Sequence, residues 1–287
     1  MYVTRERKHY ESDEHPVLKD GLEKLFPADQ LFSVESSLDS EVPWLDYVCG
    51  VEGKRILVFG TGLGGTTVAC ALNIGDGKVY GIDIDPDAVE KTKIKASAYG
   101  VSDKIEVCFS EDTSSLDYAD DYFDITIFAS VIEHIKNDRG KHLKEVYRVT
   151  KKGGVLYITG TPNVIYPKDS HTTGLYFIPW LSAKMAYKYA VWRRRWEEGK
   201  DLEFAGRKGT TYWHIRKWLK GESYEVLNLR NNFTSDYLKK NNRLMTRKRR
   251  ILFYPYSVAE KILSRIFRIP VVAFMPYINH LFIRKIK

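Results

Sequence analysis

The chain is expected to fold as an α/β protein with a doubly wound parallel sheet, and three observations predict it. Short apolar runs at residues 56–59, 79–84, 105–109, 123–130 and 155–159 alternate with stretches of helical character, the pattern of strands crossed by helices on both faces. The first run leads straight into a glycine-rich turn, Gly60-Thr61-Gly62-Leu63-Gly64-Gly65. The second run ends on an acid, Asp83, which lies 23 residues after Gly60. At that interval a carboxylate closing the second strand reaches the ribose of a nucleotide bound at the first turn.

Taken in order, residues 1–50 are polar with scattered apolar positions, among them Leu22, Phe26, Leu31, Trp44 and Leu45, and read as a leading arm and a short covering helix. Strand one, Ile56-Leu57-Val58-Phe59, is followed by the turn and by small residues from Thr66 to Leu72 that suit a helix packed close to a sheet. Glycine is required there because the backbone needs special dihedrals and a ligand must approach where a Cβ would collide. Gly60, Gly62 and Gly65 match the G-x-G-x-x-G of dinucleotide enzymes, whereas Gly60, Gly62 and Gly64 match the G-x-G-x-G of S-adenosylmethionine (SAM) enzymes, and the motif alone leaves both open. Strand two, 79–84, gives way to Asp85-Pro86-Asp87, which supplies an N-cap, a proline preset for the first helical turn and an acid suited to the helix dipole. Gly100 closes that helix at Tyr99. Strand three (105–109) leads to Ser110-Glu111-Asp112-Thr113, and strand four (123–130) to a helix expected from about Val131 to Val149. A Lys151-Lys152-Gly153-Gly154 turn precedes strand five, 155–159.

Length and composition bound the rest. At 287 residues, 44% hydrophobic and 29% charged, the chain can bury one large core with a cap, and disorder is not expected. Cys49, Cys70 and Cys108 are scattered and odd in number, which argues against a disulfide framework or a zinc knuckle and fits a reducing compartment. The charged opening residues lack an apolar h-region, and no stretch reaches the roughly 18 apolar residues of a membrane span. A cytoplasmic chain is expected. The net charge of +8 conceals an asymmetry: through residue 160 there are 19 Lys and Arg against 28 Asp and Glu, and from 161 onward 26 against 9. The basic half reads either as a solvated face or as a surface for an anionic substrate, membrane or nucleic acid.

Over residues 50–165 the order of signals resembles the class I SAM-dependent methyltransferases, in particular the small-molecule, type 11/12-like branch. The resemblance rests on Gly60-Thr61-Gly62-Leu63-Gly64, Asp83, Glu111-Asp112-Thr113, Phe123-Asp124, Val131-Ile132-Glu133-His134, Lys152-Gly153-Gly154 and Thr161-Pro162-Asn163. It implies a Rossmann-like seven-stranded sheet of order 3-2-1-4-5-7-6, with strand 7 antiparallel, and SAM as cofactor. It further implies that the turn, with Phe59, Gly60, Thr61, Gly62 and Gly64, wraps the methionine part of SAM. Asp83, with Ile84 beside it, would hold the ribose, Asp112 with Thr113 the adenine, and Ala129 and Ser130 would line the sulfonium. One departure stands out. The family usually places an acid two residues before the first glycine, where this chain has Val58.

The second half leaves the minimal fold. Residues 166–173 form a loop with Asp169 and His171, and 180–196 reads as a helix with Tyr187, Tyr189 and Trp192 nearly all round it, either a lid over an apolar or sugar-like acceptor or the core of a cap. Residues 210–220 read as the last helix, 224–229 as strand six and 280–284 as strand seven. Between the last two lies an insertion carrying Arg243, Arg247, Lys248, Arg249 and Arg250, then an apolar stripe at helical spacing through Val258, Ile262, Ile266 and Phe267 with Lys261, Arg265 and Arg268 opposite. It reads as a helix packed on the sheet or as one lying on an anionic membrane surface through 243–278, on the inner face. The domain organisation expected is an arm and covering helix (1–50), a SAM-binding core (51–165) and a cap, insertion and last two strands (166–287).

Methyl transfer is an in-line displacement at a sulfonium carbon, and an acceptor hydroxyl must lose its proton. His134 and His171 are the candidate bases. A quinone-type Glu-x-x-Glu-His metal motif would need an acid where Ser130 stands, so no metal is expected. The function expected is methylation, most readily O-methylation, of a glycan, a lipid-linked or another hydrophobic small acceptor. Three rivals remain open. An RNA methyltransferase is favoured by the basic half but lacks an Asn/Asp-Pro-Pro-aromatic run after strand four, and nucleic acid is not the expected partner. An NAD(P)-dependent oxidoreductase has only the chance Tyr147-Arg148-Val149-Thr150-Lys151 in its favour. A non-catalytic docking protein of the SAM fold has only Val58.

Overall fold

A computed structural model describes residues 22–26, 30–240 and 247–287, without the side chains of Glu23 and of residues 247–253. Nine strands occur among these residues: β1 (Arg55–Phe59), β2 (Lys78–Asp83), β3 (Ile105–Phe109), β4 (Phe123–Ala129), β5 (Thr150–Thr159), β6 (Thr161–Pro162), β7 (Tyr224–Val226), β8 (Tyr277–Ile278) and β9 (Leu281–Lys285). Seven form one sheet in the order β3-β2-β1-β4-β5-β9-β7, and β6 pairs with β8 in a small antiparallel sheet. Counted along the large sheet alone, the order is the 3-2-1-4-5-7-6 expected from the sequence, and the last pair, β9 on β7, is antiparallel. The chain divides into two compact units.

The first unit gathers the described residues up to Ile127 with Arg148–Val155. Here β1, β2 and β3 run parallel, with Phe59 opposite Ile82 and Asp83 opposite Phe109 at their carboxyl ends. Ile56, Leu57, Val58 and Phe59 are all buried, the continuous apolar run of a strand covered on both faces. Helix α1 (Ser33–Asp39) and helix α2 (Glu41–Cys49) replace the single covering helix read from the sequence. Helix α1 packs on α3 (Gly65–Asn73) so closely that a Cβ on Gly65 would stand 2.8 Å from Ser33 Cβ. Fully buried Lys95, from α4 (Pro86–Ala98), ties this cover down by donating to Ser33 Oγ (2.9 Å) and the Gln30 carbonyl (3.2 Å). Helix α4 starts as its sequence demands: Asp85 Oδ1 accepts the Asp87 N–H at 3.0 Å, Pro86 is the first helical residue, and Gly100 leaves with φ +66°. Strand β5 begins at Thr150, five residues earlier than the sequence suggests. Gly154 lies inside the strand, where a Cβ would come 2.8 Å from the Asp124 and Lys151 carbonyl oxygens, so only glycine fits there.

The second unit comprises Phe128–Tyr147 and Leu156–Lys287. Its helix α5 (Arg139–Val149, whose last two residues belong to the first unit) starts well after the Val131 expected. Residues 131–138 are a loop instead, since Asp138 takes φ +51° and Arg139 donates to the carbonyls of Ile135 (2.7 Å) and Glu133 (3.1 Å), drawing the chain into a turn. The aromatic helix is also shorter than read: α6 spans Ala183–Trp192, capped by Ser182 and ended by Arg194 at φ +53°. Leu175, Ile178, Ala186, Ala190 and Leu202 form a core of their own, against which Tyr187, Tyr189 and Trp196 pack. Trp192 stays 73% exposed. The aromatics of this region therefore divide between a core and an open face. Helix α7 (Tyr212–Trp218) is capped by Thr211, and β7 gives way after Val226 to a 3-10 turn, Leu227–Leu229, where a longer strand was expected. Helices α8 (Phe233–Lys240) and α9 (Arg247–Ile262) build the insertion, with α9 running on through a π-helical turn, Leu263–Phe267. The arm before residue 22 and Arg243 lie outside the described residues.

Candidate cofactor and acceptor sites

In the first unit the glycine turn is built as a ligand turn. Gly60, Gly62 and Gly64 take φ of +76°, +49° and +81°, the left-handed region closed to most side chains, whereas Gly65 is an ordinary helical residue. That is the G-x-G-x-G spacing. Gly64 is also needed for packing, as its Cβ would stand 3.0 Å from Thr92 Cα. Asp83, 9% exposed, organises the turn: its Oδ2 accepts the Gly62 N–H (2.8 Å) and the Thr61 hydroxyl (3.4 Å), and its Oδ1 accepts the Asp85 N–H (3.0 Å). Val58, at the position where the family carries an acid, is buried core. The turn is thus anchored by a carboxylate from the second strand, and the missing acid leaves no gap in it.

These residues fit a nucleoside cofactor. Gly62 is exposed and a Cβ on it would meet nothing within 4 Å among the described residues, so ligand atoms can approach the backbone there. Asp83 Oδ1, with the Asp85 N–H as its protein donor, retains a lone pair for a ligand. Ile84 follows with 50% of its surface exposed, an apolar face at the strand end, while Phe59 and Thr61 are buried beneath the turn. After β3, Asp112 is exposed and shaped by the Ser114 N–H on its Oδ1 (2.8 Å), and Thr113 is buried. Bound SAM would supply an electrophilic methyl on a sulfonium. Among the protein groups, Asp83 would orient the sugar and the turn would bring backbone N–H groups to the amino-acid end.

The remaining predicted residues lie in the second unit. Ala129 ends β4, and Ser130 follows, exposed, at φ +53° with its N–H on the Thr159 carbonyl (2.9 Å). A non-glycine residue held in the left-handed region costs of order 1 kcal/mol or more and clusters at functional sites. His134, expected at the start of a helix, and His171, expected in a loop, come together with ring centroids 5.5 Å apart. The loop before α5 positions His134, whose Nδ1 lies 2.7 Å from the Phe204 carbonyl. Since a carbonyl only accepts, that nitrogen carries the proton and Nε2 keeps the lone pair. His171 is placed by Asp169, a buried carboxylate that accepts its N–H (3.0 Å) and those of Thr172 (2.9 Å) and Thr173 (2.7 Å), together with both threonine hydroxyls. Burial, then the nearby His134, hold the His171 pKa below its usual value.

Sequence reasoning gave no role to two members of this cluster. Glu133 is fully buried, with Oε2 accepting the Thr161 hydroxyl at 3.1 Å, and burial pushes its pKa up to about 7. A buried acid next to the chosen His134 was the available signal. Gly206, at φ +86°, lies against the three side chains with no Cβ to crowd them, and a glycine in a loop gives no signal at all. The group offers proton acceptors on neighbouring loops and a carboxyl poised near neutrality, the components of proton removal from an acceptor.

Fold and turn together define a Rossmann-like protein that binds a nucleoside cofactor. Residues 57–158 match the family model described as Methyltransferase domain, and this stretch is a class I SAM-dependent methyltransferase domain, with SAM the cofactor that such a domain implies. Among characterised proteins, the chain is similar to ribosomal protein L11 methyltransferase of Enterobacter sp. (strain 638), 40% identical over 77 residues, which are 27% of this chain and 26% of that protein. It is also similar to the protein of the same name from Photobacterium profundum, 34% identical over 117 residues, 41% of this chain and 36% of the other. The chain thus spans only about a quarter to a third of the length of these relatives. Similar solved structures include a SAM-dependent methyltransferase from Aquifex aeolicus (21% identity, TM-score 0.44, covering 72% of this chain and 90% of that one) and MccD protein (17%, TM-score 0.49, 88% and 96%).

Proposed function

We propose that the chain methylates a hydroxyl on a hydrophobic small acceptor, a glycan or a lipid-linked molecule, using SAM. The observation that carries this reading is the convergence of His134 and His171 in the second unit, where two imidazoles and a buried carboxyl can take up an acceptor proton. The loop holding His171 supports the apolar acceptor: the Asp169 N–H donates to the Leu175 carbonyl (2.9 Å), so the loop folds back, and the next residues, Tyr176 and Phe177, are more than half exposed together with Trp180. Phe177 is held at φ +68°, a cost an aromatic residue bears only under constraint. Exposed aromatic faces suit sugar rings and apolar chains. The likeness to ribosomal protein L11 methyltransferases covers too little of those proteins to carry their acceptor over.

We also propose that α9 and its π-helical turn rest on an anionic membrane surface. Ile262, Ile266 and Phe267 are exposed beside the exposed Lys261, Arg265 and Arg268, the mixture of apolar and cationic side chains that binds acidic headgroups. No helix among the described residues is long and apolar enough to cross a membrane. Both readings are tested by supplying radiolabelled SAM with lipid-linked glycans, simple glycosides and phenols, and by sedimenting the protein with phosphatidylglycerol or phosphatidylcholine vesicles. Label in the lipid-linked or glycoside fraction and sedimentation with the anionic vesicles alone are expected. SAM binding with label in protein or RNA only would overturn the acceptor reading, and equal sedimentation with both vesicles the membrane reading.

A further inference from the structure

We propose that Glu133, His134 and His171 form a binding site for a divalent transition-metal ion of the zinc class. One ligand atom from each lies within 4.8 Å of the other two. Donor atoms around a tetrahedral zinc stand about 3.3 Å apart, so side-chain rotations closing the group by roughly 1.5 Å or less complete it. Two imidazole nitrogens and one carboxylate oxygen are the donor set of three-ligand sites that keep an open position.

Three independent features point to an ion rather than to a simple polar cluster. The first is Glu133 Oε1, which has no hydrogen-bond partner among the described residues although the residue is completely buried. A buried carboxyl oxygen left unmatched is costly, and a cation is its natural complement. Arg139, the neighbouring cation, does not serve, because it donates to the main-chain carbonyls of Glu133, Ile135 and Gly209. The second is the orientation of His134. Its Nδ1–H on the Phe204 carbonyl is the outer contact that metal-bound histidines make, and it presents Nε2 as ligand. The third is Gly206. A Cβ there would stand 2.9 Å from Glu133 Cγ, 3.1 Å from His134 Cε1 and 3.1 Å from His171 Cδ2, so a single missing methyl keeps space beside all three. This site departs from the expectation of no metal drawn from Ser130. The third donor comes from His171 in another loop, where no local motif could show it.

The chemistry rests on the methyl-transfer reading above. With an ion bound, the two imidazoles and the carboxylate would act as ligands in place of bases, and an acceptor hydroxyl on the open position would lose its proton to solvent more readily. Its oxygen would then bond to the SAM methyl carbon as the carbon–sulfur bond breaks, with that electron pair returning to sulfur.

The test needs neither acceptor nor SAM. The full chain, stripped with chelator and dialysed, is titrated with Zn2+ by calorimetry and with Co2+ by visible absorption, alongside His171→Ala, Glu133→Gln and Gly206→Ala, each checked for folding by circular dichroism. One equivalent per chain is expected, with the d–d bands of a low-coordinate nitrogen and oxygen site. Affinity should fall on the order of a hundredfold in His171→Ala and at least tenfold in Gly206→Ala, since even outer contacts of a metal site are worth ten- to a hundredfold. Absence of stoichiometric uptake by the wild type, or uptake undiminished in folded His171→Ala, overturns the site. Uptake without any methyl transfer would keep the site and sink the activity, and SAM-dependent transfer without uptake would do the reverse.

Discussion

At the residue scale the cofactor turn depends on Asp83 more than a ribose contact alone would require. Its carboxylate accepts main-chain N–H groups on both sides, from Gly62 and Asp85, so its loss would loosen the turn as well as remove the ribose contact that the family resemblance implies. Asp83→Ala should weaken SAM binding by about tenfold or more and lower stability by about 1 kcal/mol, the net worth of the hydrogen bonds removed. Calorimetry with SAM and urea unfolding check the two parts, and a variant of unchanged affinity would contradict the assignment. His280 makes a second prediction. Its Nδ1 lies 2.7 Å from the Tyr157 hydroxyl, and burial pushes its pKa from 6.5 down to about 4. As pH falls below about 6.5 the unfolded chain takes up a proton that the folded chain refuses, so stability is lost progressively down to about pH 4. His280→Asn suits the φ of +56° and removes the titration. The stability advantage of wild type over this variant should narrow between about pH 7 and pH 5, measured by urea midpoints.

At the scale of elements, capping and periodicity made some boundaries readable and long-range contacts moved others. Helix α4 starts and stops where Asp85, Pro86 and Gly100 say, because all three act within one turn of the chain. Asp85→Ala should cost about 1 kcal/mol in urea unfolding, while Asp85→Asn stays near neutral. The stretch 131–138 looked helical yet forms a loop, since the Arg139 side chain reaches back to Ile135 and Glu133 and forward to the Gly209 carbonyl, seventy residues on. Replacing Arg139 by Leu should therefore disturb the His134 loop more than α5 itself. Faster amide exchange at Ile135 and Lys136 than within 142–147 is the expected result.

At the scale of the whole molecule the dominant feature is charge. Acidic residues prevail through residue 160 and basic ones beyond it, and the exposed Lys261, Arg265 and Arg268 share their segment with exposed apolar side chains. Surface attraction of this kind is screened within about 10 Å at 0.1 M salt. Sedimentation with anionic vesicles should accordingly decline as salt is raised from about 0.05 to 0.5 M. Ile266→Ser with Phe267→Ser should weaken it at every salt concentration, because the apolar contribution is not screened. Binding that is insensitive to both would remove the membrane reading.

The strand order and the cofactor roles came from the family resemblance, while the amino-acid sequence alone showed the alternating strands, the glycine turn, the acid after strand two and the cap of α4. Each of these is written in local pattern: apolar runs of strand length, glycines at turn spacing, an acid at a strand end, a cap before a helix. It also marked His134 and His171 as separate possibilities. Only the tertiary structure decided between the two glycine spacings, since φ of +81° falls on Gly64 and none on Gly65. Only it could show Asp83 holding the turn in place of an acid at Val58, the aromatics divided between a core and a surface, and two histidines meeting over a buried Glu133 beside Gly206. The physical reason is the same in each case. These features arise where residues distant in the chain meet, and a hydrogen bond or a cavity between such residues leaves no periodic trace in the sequence.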